Sequence, residues 1–145
     1  MRHEFKHLEY YYFHNCVYES LWRSNARRFS ERVSTLELTR KYNKDYHLIL
    51  VGDAAMSPYE IYYRGGSVEH YNEDPGIEWL RLLRKHFPRM IWLNPNSEVS
   101  WEFYESTALL REFTQYRMFP LTLSGLKDGM KCLKFPNKQY KNRTW

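Results

Sequence analysis

Apolar positions in this chain follow two periods, and from about residue 34 onward the two alternate. Leu48-Ile49-Leu50-Val51 is a short, uninterrupted, β-branched-rich run, which suits a central strand buried on both faces. Met90-Ile91-Trp92-Leu93 is a second such run, ended by Asn94-Pro95. Arg117-Met118-Phe119-Pro120-Leu121 is a third, and its proline favours a sheet edge. Helical signals stand between the runs. Ser34-Thr35-Leu36-Glu37 and Ser57-Pro58-Tyr59-Glu60 both read as capping boxes, the second with proline at the first helical position. Asp74-Pro75 opens a helix with Ile77, Leu80, Leu83 and Phe87 along one face, stopped by Pro88. A further helix runs to Phe113 with Trp101, Tyr104 and Ala108 together, and Thr122 caps a last one with Leu126, Met130 and Leu133 inward. The spacing thus predicts strands near 47–52, 90–94 and 117–121, and helices near 35–42, 77–87, 98–113 and 123–134. Such alternation gives a parallel sheet with right-handed crossovers, hence a three-layer α/β fold.

The amino-terminal part has a different texture. Residues 8–22 are dense in aromatics and read as β, with His14-Asn15 as a bend. Such tyrosines either pave a half-buried sheet or offer a stacking surface to bases. Residues 23–32 carry Arg23, Arg27, Arg28 and Arg32 and read as a mobile basic loop. With 145 residues, 43% of them hydrophobic, the chain has material for one core. We assign 1–136 to one domain and 137–145 to a polar basic tail. The net charge of +5 admits an acidic partner, but the charges are interspersed, and only Lys127 to Arg143 is one-sided. Nucleic-acid binding by the four arginines and that tail would show a steep salt dependence. Cys16 and Cys132 stand far apart, as reduced thiols do in a cytosolic protein. No apolar run reaches membrane-spanning length, and the charged start lacks a signal peptide's apolar segment, so a cytoplasmic location is expected.

Chemistry converges on one stretch. Gly52 lets the backbone turn after the first apolar run, and Asp53 falls at the carboxyl end of that strand. Ligands of open α/β sheets bind beyond the carboxyl ends of the strands. Asp53 is therefore either a metal ligand or a turn-forming residue that leads into the next helix. A metal-dependent hydrolase or phosphotransferase using Asp53 as ligand or nucleophile would want a second carboxylate two residues on, and position 55 is alanine. Glu69-His70 has acid/base character but no partner in the sequence. No phosphate-binding loop, G-x-G-x-x-G, G-x-S-x-G, C-x-x-C or H-E-x-x-H occurs.

Several longer blocks carry a resemblance. They are His47 to Ile61 (HLILVGDAAMSPYEI), Gly66 to Gly76 (GSVEHYNEDPG), Pro88 to Pro95, Arg117 to Gly125 (RMFPLTLSG) and Tyr12 to Glu19 (YFHNCVYE). Together, from about Phe5 to Leu133, they resemble the carboxyl-terminal part of bacterial von Willebrand factor A (VWA) domain proteins of the CoxE-like group. The resemblance implies a Rossmann-like, VWA-type fold with a metal-ion-dependent adhesion site, and partnership with a MoxR-type AAA+ ATPase in protein maturation rather than catalysis. Within the site, Asp53 matches the family's third-loop aspartate and Thr35 its second-loop threonine. The family's Asp-x-Ser-x-Ser loop is not found in the sequence, so the chain resembles a member lacking the first, central strand. Mg²⁺ favours six oxygen ligands in near-octahedral geometry, and two side chains plus water hold it weakly. Loss of a central strand also leaves an unpaired edge, which costs hydrogen bonds and invites self-association.

Overall fold

The computed structural model describes residues 7–65 and 73–136. Its centre is a parallel sheet of β3 (Leu48–Val51), β4 (Met90–Asn94) and β5 (Met118–Pro120), side by side in that order. Leu50 lies opposite Trp92, and Trp92 opposite Met118. The connecting segments are helical, as the periodicity predicts: α2 (Pro58–Tyr62) and α3 (Gly76–His86) follow β3, α4 (Glu105–Phe113) follows β4, and α5 (Leu123–Cys132) follows β5. Ahead of them stand an antiparallel pair, β1 (Ser20–Trp22) with β2 (Arg32–Ser34), and the helix α1 (Thr35–Lys41). The chain is a mixed α/β protein with a three-stranded parallel sheet flanked by helices.

Helices cover both faces of that sheet because β4 is apolar on both. Met90 and Trp92 pack with Leu38 of α1, Leu80 and Leu83 of α3 and Leu110 of α4. Ile91 and Leu93 point the other way, into Cys132, Leu133, Leu126 and Met130 in and beside α5. Burying this many large side chains at about 1.5–3 kcal/mol each is what holds the layers together.

Several expectations need correction. The Leu48–Val51 run is not the central strand: only Leu50 is buried, Val51 is half exposed, and β4 is the strand enclosed throughout. An apolar run does not reveal how many neighbours a strand has. The helix expected over 98–113 breaks into a 3-10 turn at Glu98–Phe103 followed by α4, and Ser106, Thr107 and Leu110 face inward while Tyr104 and Ala108 are exposed. The two hydroxyls override the apolar pattern because both bind the carbonyl of buried Ala54. Within 8–22 only β1 is a regular strand, with Tyr12 bridging Trp22 and a tight turn at Asn15 between His14 and Cys16. The arginine-rich stretch is folded into a 3-10 turn (Phe29–Glu31) and β2, with Arg32 lying over the Phe29 ring. Pro75 is the N-cap of α3, one place later than expected.

Neither capping box closes. Ser34 makes no side-chain cap bond, and although Ser57 accepts from the Tyr59 N–H, Glu60 turns inward and is buried. The first part of the one-sided run from Lys127 belongs to α5. Glu69-His70 and the tail 137–145 lie outside the described residues. Among the described residues no helix is long and apolar enough to cross a membrane, and both cysteines are buried and outside any disulfide.

Candidate functional site

Parallel pairing brings the carboxyl ends of β3, β4 and β5 to one edge, so the loops that follow them share it. The loop after β3 is clamped at almost every residue. Gly52 donates its N–H to Leu93 at 3.1 Å, and its carbonyl accepts from the Trp92 indole at 2.8 Å. Buried Asn94, at the end of β4, donates to the Asp53 carbonyl at 3.0 Å and accepts from the Asn96 N–H at 2.8 Å. Ala54 sits at φ 58°, a left-handed conformation that costs a residue with a Cβ about 1–2 kcal/mol. The bonds to its carbonyl offset that cost: Ser106 donates at 2.6 Å and Thr107 at 3.0 Å. Ser106 also accepts the Met56 N–H at 2.9 Å. The result is a rigid loop from which Asp53 projects into solvent, its Oδ1 accepting the Ala55 N–H at 3.0 Å.

Beneath the loop lies a buried polar network that no sequence motif announces. Thr35, at the start of α1, is wholly buried and donates its hydroxyl to the Tyr18 carbonyl at 2.6 Å. The Tyr18 hydroxyl donates to the Glu60 carbonyl at 2.7 Å. The Glu60 carboxyl group accepts from Asn15 Nδ2 at 3.2 and 3.0 Å, and Asn15 reaches it from a left-handed turn at φ 59°. Cys16 completes the group, and Gly76 is needed beside it, since a Cβ there would fall 2.4 Å from the Cys16 sulfur. Burial pushes the Cys16 thiol up to about 12, with Glu60 adding to the effect. Burial likewise raises Tyr18, helped by Cys16 and Glu60. These groups are kept protonated and serve as hydrogen-bonding struts. Asn15 next to Cys16 was the available signal in the sequence, but it reads as a simple bend until Glu60 is known to point inward.

The two residues singled out as metal ligands are thus in different states. Asp53 is exposed and displayed; Thr35 is enclosed, its proton committed to Tyr18. No hydrogen bond joins them, and no cluster of three or more His, Cys, Asp or Glu side chains suited to a metal occurs among the described residues. This donor set falls short of what a hard divalent cation needs for a closed site. An exposed carboxylate in a fixed loop is instead suited to a basic group on a partner, or to a cation that keeps most of its water.

Compared with known proteins, the chain matches no family model, no curated protein and no solved structure.

Proposed function

We propose that the chain is a non-enzymatic protein-interaction module of VWA-like, Rossmann-type architecture, which docks through the carboxyl edge of its parallel sheet. The observation that carries this reading is the company Asp53 keeps. The 3-10 turn after β4 exposes Val99 and Phe103 (81% and 83%), and the segment after β5 exposes Leu121 and, at the start of α5, Leu123, the latter at 90%. Large apolar side chains left in water around a displayed carboxylate fit a protein partner with an apolar patch and a basic residue. The partner we favour is a MoxR-type AAA+ ATPase, with the pair acting in protein maturation. Mg²⁺, if it takes part, sits on Asp53 with a shell made mostly of water and binds weakly.

The test is calorimetry against a purified MoxR-type ATPase, with and without Mg²⁺. We expect binding that Phe103→Ser with Leu123→Ser abolishes and Asp53→Ala weakens. Unchanged binding by these variants would remove the edge from consideration. Turnover of phosphoesters or peptides that disappears in Asp53→Ala would replace the module with a metal-dependent hydrolase.

A further inference from the structure

The arginine-rich stretch between β1 and β2 plays no part in the carboxyl-edge reading, yet it is built into a defined surface. Pairing there runs across three segments: Tyr12 bridges Trp22, and Trp22 lies opposite Arg32. Directly opposed residues share a face of the sheet, so Tyr12, Trp22 and Arg32 point the same way. Their neighbours Tyr11, Phe13 and Leu21 alternate to the other face and pack in the main core. The face carrying Tyr12, Trp22 and Arg32 is therefore the outer one. Trp22 itself is buried, and the aromatic rings most open to solvent here are those of Tyr10 and Phe29, at 71% and 76%.

Both rings are held at one end of this small sheet. Antiparallel pairing carries Tyr10 past Trp22 toward Arg23, where β1 ends, and Phe29 stands just before β2 starts from that same end. Neighbouring strands lie roughly 5 Å apart, so the two rings flank a width on the order of 10 Å. Tyr10 meets the Tyr12 ring edge-on, with centroids 6.3 Å apart. The Arg32 guanidinium lies over one face of Phe29, 4.1 Å from the centroid, and a stacked guanidinium keeps its in-plane N–H donors for a ligand. Arg23, Arg28 and Arg32 are exposed, and among the described residues no carboxylate pairs with any of them. Glu31 is the sole carboxylate between Ser20 and Ser34, and it accepts from the Ser24 hydroxyl at 2.9 Å. Backbone bonds fix the turn that displays the arginines: Arg23 N–H to Glu31 at 3.0 Å and Arg27 N–H to Ser24 at 3.1 Å.

We propose that this outer face binds single-stranded nucleic acid, with bases stacked on Tyr10 and Phe29 and the phosphates between them bonded to Arg23, Arg28 and Arg32. Exposed rings interleaved with unpaired guanidiniums are what sequence-tolerant single-strand binding requires, since every base has a flat face and every linkage a charge. A duplex keeps its base faces stacked inside, so the two rings would have nothing to hold. An anionic membrane would attract the same arginines, but it also asks for a contiguous apolar patch, and Phe29 stands between Arg28 and Ser30. The proposal does not rest on Asp53 or on the carboxyl-edge reading, which uses a different surface.

The test is fluorescence anisotropy of labelled oligo-U and oligo-dT, each about twelve nucleotides long, titrated with the full chain over a salt series. We expect saturable binding whose logarithm falls with the logarithm of salt at a slope of about −2, as three neutralised phosphates on a single strand give. Phe29→Ala and Tyr10→Ala should each weaken binding about tenfold and leave the slope alone. Arg28→Gln should make the slope shallower by about 0.7. Arg81→Gln, at an exposed arginine of α3 paired with Glu78, should change neither. All these side chains are exposed, and circular dichroism checks that each variant keeps the fold. A preference for one oligomer assigns the site to RNA or to DNA, and equal binding assigns it to single strands of either sugar. Absence of saturable binding would overturn the proposal. So would equal binding of a duplex of the same length with no effect of Phe29→Ala, which is charge attraction alone. Binding to phosphatidylserine vesicles without binding to the oligonucleotides would replace the nucleic acid with a membrane surface.

Discussion

The two edges of the parallel sheet are finished in opposite ways. At β5 the outward positions are Met118 and Pro120; proline has no N–H to offer, and its carbonyl already accepts from Thr122 at 2.9 Å. Helix α5 then folds directly against this edge, so closely that a Cβ on Gly125 would lie 1.9 Å from the Pro120 oxygen. Buried Arg117 ties the helix to the sheet, donating to the carbonyls of Met90 at 2.7 Å, Cys132 at 3.2 Å and Phe135 at 2.8 Å. Among the described residues none of these devices stands at β3, and no backbone hydrogen bond is made on the outward side of Ile49 and Val51. A proline, a tight helix and a bonded cation protect one edge from pairing, while the other is left able to pair. The difference teaches that the open edge is not a general feature of how this small sheet ends.

The largest effect should come from breaking the closed side. Arg117→Met leaves two buried carbonyls, those of Met90 and Cys132, and the part-buried one of Phe135 without this donor, and at about 1–3 kcal/mol for each buried orphaned group we expect a loss of at least ~2 kcal/mol in urea unfolding. Val51→Thr, the matching change on the open side, should cost within about 0.5 kcal/mol. Similar losses for the two would erase the distinction between the edges. Next in size is Gly125→Ala, which forces α5 off Pro120 and should destabilise by about 1–3 kcal/mol in the same assay.

Hydrogen exchange sharpens the contrast without mutation. The Trp92 amide, bonded to Arg117 at 2.9 Å within the enclosed strand, should exchange only through global unfolding, while those of Ile49 and Val51 should exchange through local opening. Equal protection would mean that the β3 edge is covered. The smallest effect is electrostatic. Burial, then Arg89, holds His47 below its ordinary value, so the folded state prefers the neutral ring. As pH falls below about 6.5 the unfolded chain takes up the proton first, and stability drops until the folded pKa is passed. His47→Gln should flatten that part of a plot of stability against pH, and only slightly, because the ring is largely exposed.

Much of this architecture is legible in the sequence alone. The change of period from strand-like runs to helical spacing located β3, β4, β5, α1, α3 and α5 within a residue or two, because burial of alternating layers imposes those periods on the sequence. The position of Asp53 at a strand's carboxyl end was legible for the same reason, and Thr122 and Ser57 do act as N-cap acceptors. The rest depended on which elements meet. Glu60 has the sequence context of a capping residue, yet it faces inward because Asn15, 45 positions away, supplies its hydrogen bonds. Ser106 and Thr107 look like solvent-facing helix residues until the Ala54 carbonyl is placed against them. Arg117 opens the third strand-like run with no sign of its burial, and it is buried because the carbonyls of Met90, Cys132 and Phe135 converge on it. The sequence by itself determined the order and type of the elements, since periodicity is a local record of burial. Only the tertiary structure decided that β4 is central, that β3 is an open edge and that the polar residues beneath the Asp53 loop form a network. Strand neighbours and hydrogen-bond partners are set by contacts between segments far apart in the chain, and no local period encodes them.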